Sequence, residues 1–542
     1  MYRLVALLAR TSPGLFGASV LAALIGGAAT TLALSIVVSA VRGTISLRPV
    51  IYVALCAGLL LGTFVAQMTL LKLSYAITVS TQVALSEKIA AAPLAYIERV
   101  GPERFFQLLT QDVDRVRDGA AALPIAIGEG AAAVGCFVYL GFLSRQLFAI
   151  VAALFVVGFA VVWVMRSLAW KHLVKARGHN ERLLAGLRGL TSGIKELKLD
   201  RKGTAAFLRG EIASPADDQR AAMYTAVTRF NIGTAATGTL FFIIMGVLLY
   251  APELAGSPRV LAGYATTLLY VQGPLMAVIA QTTMLTRAGV GLAAISEFDV
   301  LPVETKEHED RSASKQIKKI ELRNICYEYA SEDGGSRFAI GPNSLTFEAG
   351  TVTFIIGGNG SGKSTLAKAI VGLYPITSGD ILLDDEVITA ENRQRYREHF
   401  AAVFADFHLF PRFNGLLGAE RAEAARRHLE LLQLVDKVEM KDDGFSTTAL
   451  STGQRKRLAL VVALVHDRPI YLFDEWAADQ DPAFRRVFYR EILPQLRARG
   501  KTVLVITHDE AYFDACDVLI RVEEGRARVF ADHRSGARPG NS

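Results

Sequence analysis

The sequence predicts a multi-domain protein in which an all-α domain of six membrane spans is fused to an α/β domain of the P-loop kind. Three observations lead there. The chain of 542 residues is 51% hydrophobic with positive mean hydropathy, too apolar for a soluble protein of this size, and its long uncharged runs all lie before residue 300. The β-branched run Val352-Thr353-Phe354-Ile355-Ile356 leads straight into Gly357-Gly358-Asn359-Gly360-Ser361-Gly362-Lys363-Ser364. A second apolar run, Pro469 to Phe473, ends in the paired acids Asp474 and Glu475.

The expected spans are Leu15 to Val41, Val50 to Leu71, Ala120 to Ser144, Gln146 to Met165, Ile232 to Ala251 and Val260 to Thr286. About 20 apolar residues suffice to cross a hydrocarbon core as a helix, and the first run is too long for a cleaved signal segment. Two of the five connections are long, near 79–119 and 166–231, and the second carries 13 Lys+Arg. The positive-inside rule therefore puts the long links, both termini and the P-loop half in the cytoplasm. Both links read as helices that continue the spans, Val83 to Ala91 and Leu183 to Leu199, the latter with Leu183, Leu187, Leu190, Ile194 and Leu197 in one stripe.

Residues 1–300 hold 26 Lys+Arg against 16 Asp+Glu, whereas the remainder is slightly acidic. The basic excess thus belongs to the membrane half, and no nucleic-acid partner is expected. Cys56, Cys136, Cys326 and Cys516 are too scattered for a disulfide framework or a metal cluster and read as packing residues. Glu129 is the one ionisable residue inside a span. It is either a hydrated or hydrogen-bonded carboxylate between helices or a group in the substrate cavity that handles substrate or protons. Pro274, beside Gly273, marks a kink in the sixth span.

The expected domain limits are 1–300 for the membrane domain, 301–316 for a polar linker, 317–535 for the α/β domain and 536–542 for a flexible tail. Ile320 to Cys326, Leu345 to Phe347 and Ile381 to Leu383 read as strands around the P-loop strand, and Ala419 to Val435 as a small helical insertion.

Glycines at 357, 360 and 362 let the main chain curl so that successive N–H groups meet at one point, and the helix opening near Lys363 adds its positive end. Polyphosphate fits such a cradle, with Lys363 reaching the terminal phosphates and the Ser364 hydroxyl holding Mg²⁺. Carboxylates at a strand's C-terminal end lie on the same edge of an open α/β sheet, so Asp474 can hold the metal and Glu475 can polarise a water. The strand Thr502 to Ile506 ends in Thr507-His508-Asp509, which places His508 on that edge too. Leu450-Ser451-Thr452-Gly453-Gln454 precedes a helical run from Leu458 to Val465 and offers a second anion-binding end. Two such ends in one domain call for a second copy of it.

With these motifs in that order, the chain resembles the ATP-binding-cassette (ABC) transporters, specifically a half transporter with a type I exporter-like membrane domain and one ABC nucleotide-binding domain. The resemblance implies ATP and Mg²⁺ as cofactors, ATP hydrolysis coupled to transport, a homodimer in the lipid bilayer of the bacterial inner membrane, and Gly357 to Ser364 with Thr365 as the Walker A site. It makes Leu450, Ser451, Thr452, Gly453 and Gln454 the signature that completes the partner's ATP site, Asp474 and Glu475 the magnesium residue and catalytic base, Asp481 the D-loop aspartate, His508 the switch histidine and Tyr329 the adenine-stacking aromatic. Pro93 to Asp114, with Tyr96, Gly101 and Asp112, is similar to the first cytoplasmic loop of such exporters. Two departures stand out: Ala405 occupies the Q-loop glutamine position, with Asp406 as a substitute metal ligand, and Lys441 to Leu450 replaces the usual acidic, glycine-rich segment. Val403 to Phe410, Leu450 to Arg457 and Ile194 to Leu199 together resemble the cyclic-peptide and siderophore exporter subfamily, which includes syringomycin, pyoverdine and microcin exporters. A peptide-like substrate is the expectation; a lipid or drug flippase, a siderophore importer, and a non-transporting membrane ATPase are the alternatives.

Overall fold

A computed structural model describes residues 2–41, 49–250, 257–298, 317–328, 339–413, 419–441 and 444–534. The expected linker, Tyr329 and the tail lie outside the described residues. By its contacts the chain divides into two units, Met1–Leu85 with Phe106–Asp299, and Ser86–Phe105 with Val300–Ser542.

The first unit is helical, and among the described residues six helices are long and apolar enough to cross a membrane. Each carries one expected span, in Pro13–Val41, Pro49–Ala90, Val113–Leu143, Arg145–Ser192, Ser214–Tyr250 and Pro258–Glu297; the third expectation runs one residue past its helix to the extended Ser144, and the fifth ends at Ala251, outside the described residues. The helices overrun the spans, as the links anticipate: Arg145–Ser192 has 48 residues. At 1.5 Å per residue that is roughly 70 Å, more than twice a hydrocarbon core. The helix expected over Leu183 to Leu199 is broken, because Arg145–Ser192 ends at Gly193 and Ile194–Leu199 starts afresh. Gly186, Gly189 and Gly193 lower the helix propensity there, while the apolar period runs on across the break and conceals it. Pro274 stands inside the continuous helix Pro258–Glu297.

Lipid tails provide no hydrophobic drive for one helix to seek another, so spans associate through close approach of small residues. A Cβ on Gly27 would lie 2.5 Å from the Gly128 carbonyl oxygen, and one on Gly128 would lie 2.9 Å from that of Ala23. The Tyr264 hydroxyl donates to the carbonyls of Leu140 (2.6 Å) and Ser144 (2.7 Å), fixing the tight turn between the third and fourth spans. Large apolar side chains such as Phe142, Phe159 and Trp163 are exposed, as spans facing lipid require.

Among the described residues the second unit holds a six-stranded sheet, a four-stranded sheet and the two-stranded ribbon Met440–Lys441 with Gly444–Phe445. In the six-stranded sheet the order is Arg526–Asp532, Val518–Glu523, Val352–Ile356, Thr502–Ile506, Ile470–Asp474, Phe400–Val403. All neighbours pair in parallel except the first two. Both faces of its central strands are covered: Phe354, Tyr471 and Phe473 enter one core, Ile355, Ile470 and Leu472 the other. That two-sided burial is why these strands read as unbroken apolar runs. A four-stranded antiparallel sheet is built from Ala339–Glu348, Lys319–Glu328, Ser378–Leu383 and Glu386–Val387. The helical insertion spans Ala419–Leu431.

The short helix Leu94–Val100 belongs to this second unit. Leu94 and Ala95 pack on its core, and Glu98 accepts from Lys368 Nζ at 2.8 Å and from the Tyr374 hydroxyl.

Candidate nucleotide-binding site

Parallel pairing brings three strand ends to one edge. Ile506 is in register with both Ile355 and Asp474, so the P-loop, the acid pair and His508 emerge side by side. The P-loop curls through glycines with positive φ at 357, 360 and 362. A side chain at position 357 would also meet the Val522 carbonyl oxygen at 2.2 Å, so backbone conformation and space both require glycine there. Gly358, Asn359 and Gly360 are exposed at the tip, and the helix Lys363–Ile370 opens at Gly362 with Ser364 and Thr365 in its first turn.

Lys363 is buried, and its ammonium donates to the Gly357 and Gly358 carbonyls at 2.9 Å each. Burial pulls its pKa below the ordinary lysine value, opposed by the charges of Glu475 and Asp474. Asp474 is 2% exposed. Burial pushes its pKa above the ordinary carboxylate value; a hydrogen bond with Ser364 opposes this, and the charges of Glu475 and Asp406 add to it. Its Oδ1 is buried without a hydrogen-bond partner, and so is Ser361 Oγ. Asp406 is exposed in the turn after Phe400–Val403, whose last residue pairs with Phe473, so it stands at the same edge.

Glu475 has φ 50° and ψ 33°, left-handed backbone that costs a non-glycine residue on the order of 1–3 kcal/mol. Its N–H donates to the Ile506 carbonyl (3.1 Å) and its carbonyl accepts from Lys456 Nζ (2.9 Å). The carboxylate lies 3.4 Å from His508 Nε2.

Leu450 packs on a core, while Ser451 and Thr452 are exposed at the start of the helix Thr452–His466. Ser451 and Gln454 form a reciprocal capping box (3.4 and 3.2 Å), which fixes this helix end. The Gly453 carbonyl accepts from Gln480 Nε2 at 3.1 Å. Asp481 caps the next helix, accepting from the Phe484 N–H at 3.1 Å.

These side chains form a phosphate cradle, a pair of metal-competent oxygens, and a carboxylate–histidine couple on one edge. A family model described as "ABC transporter" matches residues 340–478. Over 463 residues, 82% of this chain and 81% of the relative, the sequence is 36% identical to "ATP-binding protein SyrD" of Pseudomonas syringae pv. syringae. This chain belongs to the ABC transporter family. The transporter is also similar to proteins named "ATP-dependent lipid A-core flippase", at 26% identity over 88% of this chain and 81% of the relative in Pseudomonas putida. In Aliivibrio fischeri the identity is 31%, over 45% of this chain and 43% of the relative. Its fold matches the solved structure of a bacterial Atm1-family ABC exporter with ATP bound, with a TM-score of 0.74 over 98% of this chain and 96% of that one, at 17% identity. It is a multi-pass membrane protein with an ATP-binding domain.

Sequence reasoning passed over several residues that shape this site. Lys456, in the charged run Arg455-Lys456-Arg457, is buried with its ammonium on the Glu475 carbonyl and the Asp479 carboxylate. Tyr489, which bonds Thr507 (2.6 Å) and Asp509 (3.0 Å) and steadies the segment carrying His508, is an ordinary core aromatic by its sequence context. Glu129 lies in the other unit, half-buried next to the Gly128 contact.

Proposed function

We propose that this ABC transporter is a homodimeric ATP-driven exporter that moves a peptide-like molecule, of cyclic-peptide or siderophore type, out of the cytoplasm across the bacterial inner membrane. The similarity to SyrD along four fifths of both chains carries this reading, and the Phe-Ala-Asp-Phe-His-Leu-Phe and Leu-Ser-Thr-Gly-Gln-Arg-Lys-Arg stretches support it. The flippase relatives favour a second reading, outward movement of a lipid on the same scaffold.

In the proposed mechanism each ATP is bound by the P-loop of one copy and by Ser451 and Gly453 of the other. The P-loop N–H groups and Lys363 hold the β- and γ-phosphates, and Tyr329 supports adenine. Ser364 and Asp474 are the oxygens that would hold Mg²⁺, with Asp406 as a third; the buried, unpartnered Asp474 Oδ1 beside the Ser364 hydroxyl fits a small hard cation. When bound, the ion spreads the charge that builds on the phosphates. Glu475 takes a proton from the attacking water, and His508, next to that carboxylate, donates to the γ-phosphate. Asp481 lies at the end of the segment facing the second copy. Glu129 faces the substrate path.

ATP-dependent uptake of a labelled cyclic lipopeptide into inside-out vesicles, absent with E475Q, is the expected result. Vesicles that flip lipid A and leave the peptide outside would replace this reading with the flippase.

A further inference from the structure

We propose that Lys456, a residue of the signature helix, is a positioning residue for hydrolysis: its buried ammonium holds the main chain of Glu475 and thereby aims the catalytic carboxylate. The proposal rests on the assignment of Glu475 as the base.

Lys456 is 5% exposed. Inside a protein an ammonium is costly unless its donors are bonded, so a lysine here is not explained by packing. Its Nζ donates to the Glu475 carbonyl at 2.9 Å and pairs with Asp479 Oδ2 at 2.7 Å. The same residue's carbonyl accepts from Trp476 Nε1 at 2.7 Å, so Lys456 grips Glu475 and its neighbour from both ends. Glu475 is the one residue of the strand end with left-handed backbone. The peptide before it is fixed by the N–H bond to Ile506, and the Glu475 carbonyl after it accepts from Lys456 Nζ at 2.9 Å and from the Ala478 N–H at 3.3 Å. With both fixed, the Cα–Cβ bond of Glu475 has a set direction, and the carboxylate lies 3.4 Å from His508 Nε2. Without the ammonium, only the longer Ala478 bond holds the 475–476 peptide against the commoner right-handed basin, and a turn towards that basin carries the carboxylate with it. Asp479 is half-exposed and can be solvated when its partner is lost, so folding is affected less than orientation.

The test is ATPase kinetics of the full-length dimer in nanodiscs, with K456M, K456R, E475Q and the double variant K456M/E475Q. Misplacing a catalytic group by an ångström costs up to ~100-fold, so K456M should lower kcat about 10- to 100-fold. Its KM for ATP should stay within about twofold, because the P-loop is untouched. K456R, which keeps a cationic donor, should recover most of the rate. In the E475Q background, followed by single-turnover release of labelled phosphate over hours, K456M should cost nothing further, since there is no base left to aim. A purely structural lysine would lower both backgrounds by the same factor, and that outcome overturns the proposal, as does a wild-type rate for K456M or a KM that rises as kcat falls. If K456M does not yield a folded dimer, K456Q, which removes the ammonium and keeps a polar side chain of shorter reach, is put through the same cycle and read by the same criteria. Wild-type hydrolysis by E475Q would remove the base assignment and this proposal with it, whereas additive losses remove the proposal alone.

Discussion

Replacing Asp474 with asparagine should stabilise the nucleotide-free cassette while abolishing its hydrolysis. The carboxylate is buried, Oδ1 has no hydrogen-bond partner, and burial is the leading cause of a pKa above the ordinary value of 3.8. A group whose native pKa is raised favours the folded state only while protonated. The penalty is absent below the unfolded-state value, grows as pH rises from there to the raised native value, and is fully present above it. Asparagine keeps the shape and an acceptor for Ser364 and carries no charge, so it escapes the penalty. A buried polar group without a partner costs about 1–3 kcal/mol and more when it is charged, and the amide, which still leaves one atom unpartnered, should recover about 1–2 kcal/mol by removing the charge. For a domain of this size that corresponds to roughly 2–8 °C in Tm. Fluorescence melts of the full-length protein, with buried Trp476 reporting the cassette, should show the gain at pH 7.5 and its loss as pH falls towards 4. A lower Tm for D474N at pH 7.5, or a shift that does not change with pH, would refute the electrostatic reasoning.

Glu475→Gln should keep ATP binding and slow hydrolysis by about a hundredfold or more, measured as phosphate release; an unchanged rate removes the general-base role. Mixing Lys363→Ala subunits with Ser451→Arg subunits gathers both lesions in one site and leaves the other intact, so mixed dimers should recover part of the ATPase activity that each variant alone lacks. Complete inactivity of verified mixed dimers would speak against a shared site. Glu129→Gln should leave basal hydrolysis intact while transport and substrate-stimulated hydrolysis fall for cationic substrates more than for neutral ones. Wild-type transport of a Lys- or Arg-bearing substrate from pH 6 to 8 would reduce Glu129 to a hydrated carboxylate.

How much could be read beforehand followed from how local the signal was. Val352–Ile356 and Thr502–Ile506 have the bounds read from sequence, because strands buried on both faces and ending in glycine or polar turns announce themselves. Ala339–Glu348 was legible only over Leu345 to Phe347, since Gly341, Pro342 and Asn343 look like a turn and their pairing with the neighbouring strand is tertiary. The hairpin Val518–Glu523 and Arg526–Asp532 went unread: exposed arginines and glutamates alternate through it and hide the apolar face. At the site, the motif residues were legible because phosphate chemistry restricts which side chains can serve. Lys456 was not, because burial of a cation depends on a carbonyl 19 residues away that no pattern records. Gly193 was legible as a residue and not as a break, because the leucine stripe around it favours helix on either side.

The opposite shifts of Lys363 and Asp474 share one cause and bear on ligand order. Burial pushes each towards its neutral form, the lysine down and the aspartate up; Glu475 and Asp474 resist this for the lysine, and the Ser364 hydrogen bond and Lys363 for the aspartate. On the proposed reading, phosphate oxygens beside Lys363 favour its charged form and a divalent cation beside Asp474 favours the carboxylate. Each component therefore relieves one half of the burial penalty. ATP alone would bring four negative charges to an edge that already carries Asp406, Asp474 and Glu475, with Lys363 as the cation among them. The metal alone would leave Lys363 without an anion to replace the Gly357 and Gly358 carbonyls. The site is thus balanced for the two together, so the nucleotide should bind as its magnesium complex, with affinity for free ATP falling further than the loss of two oxygen contacts would account for.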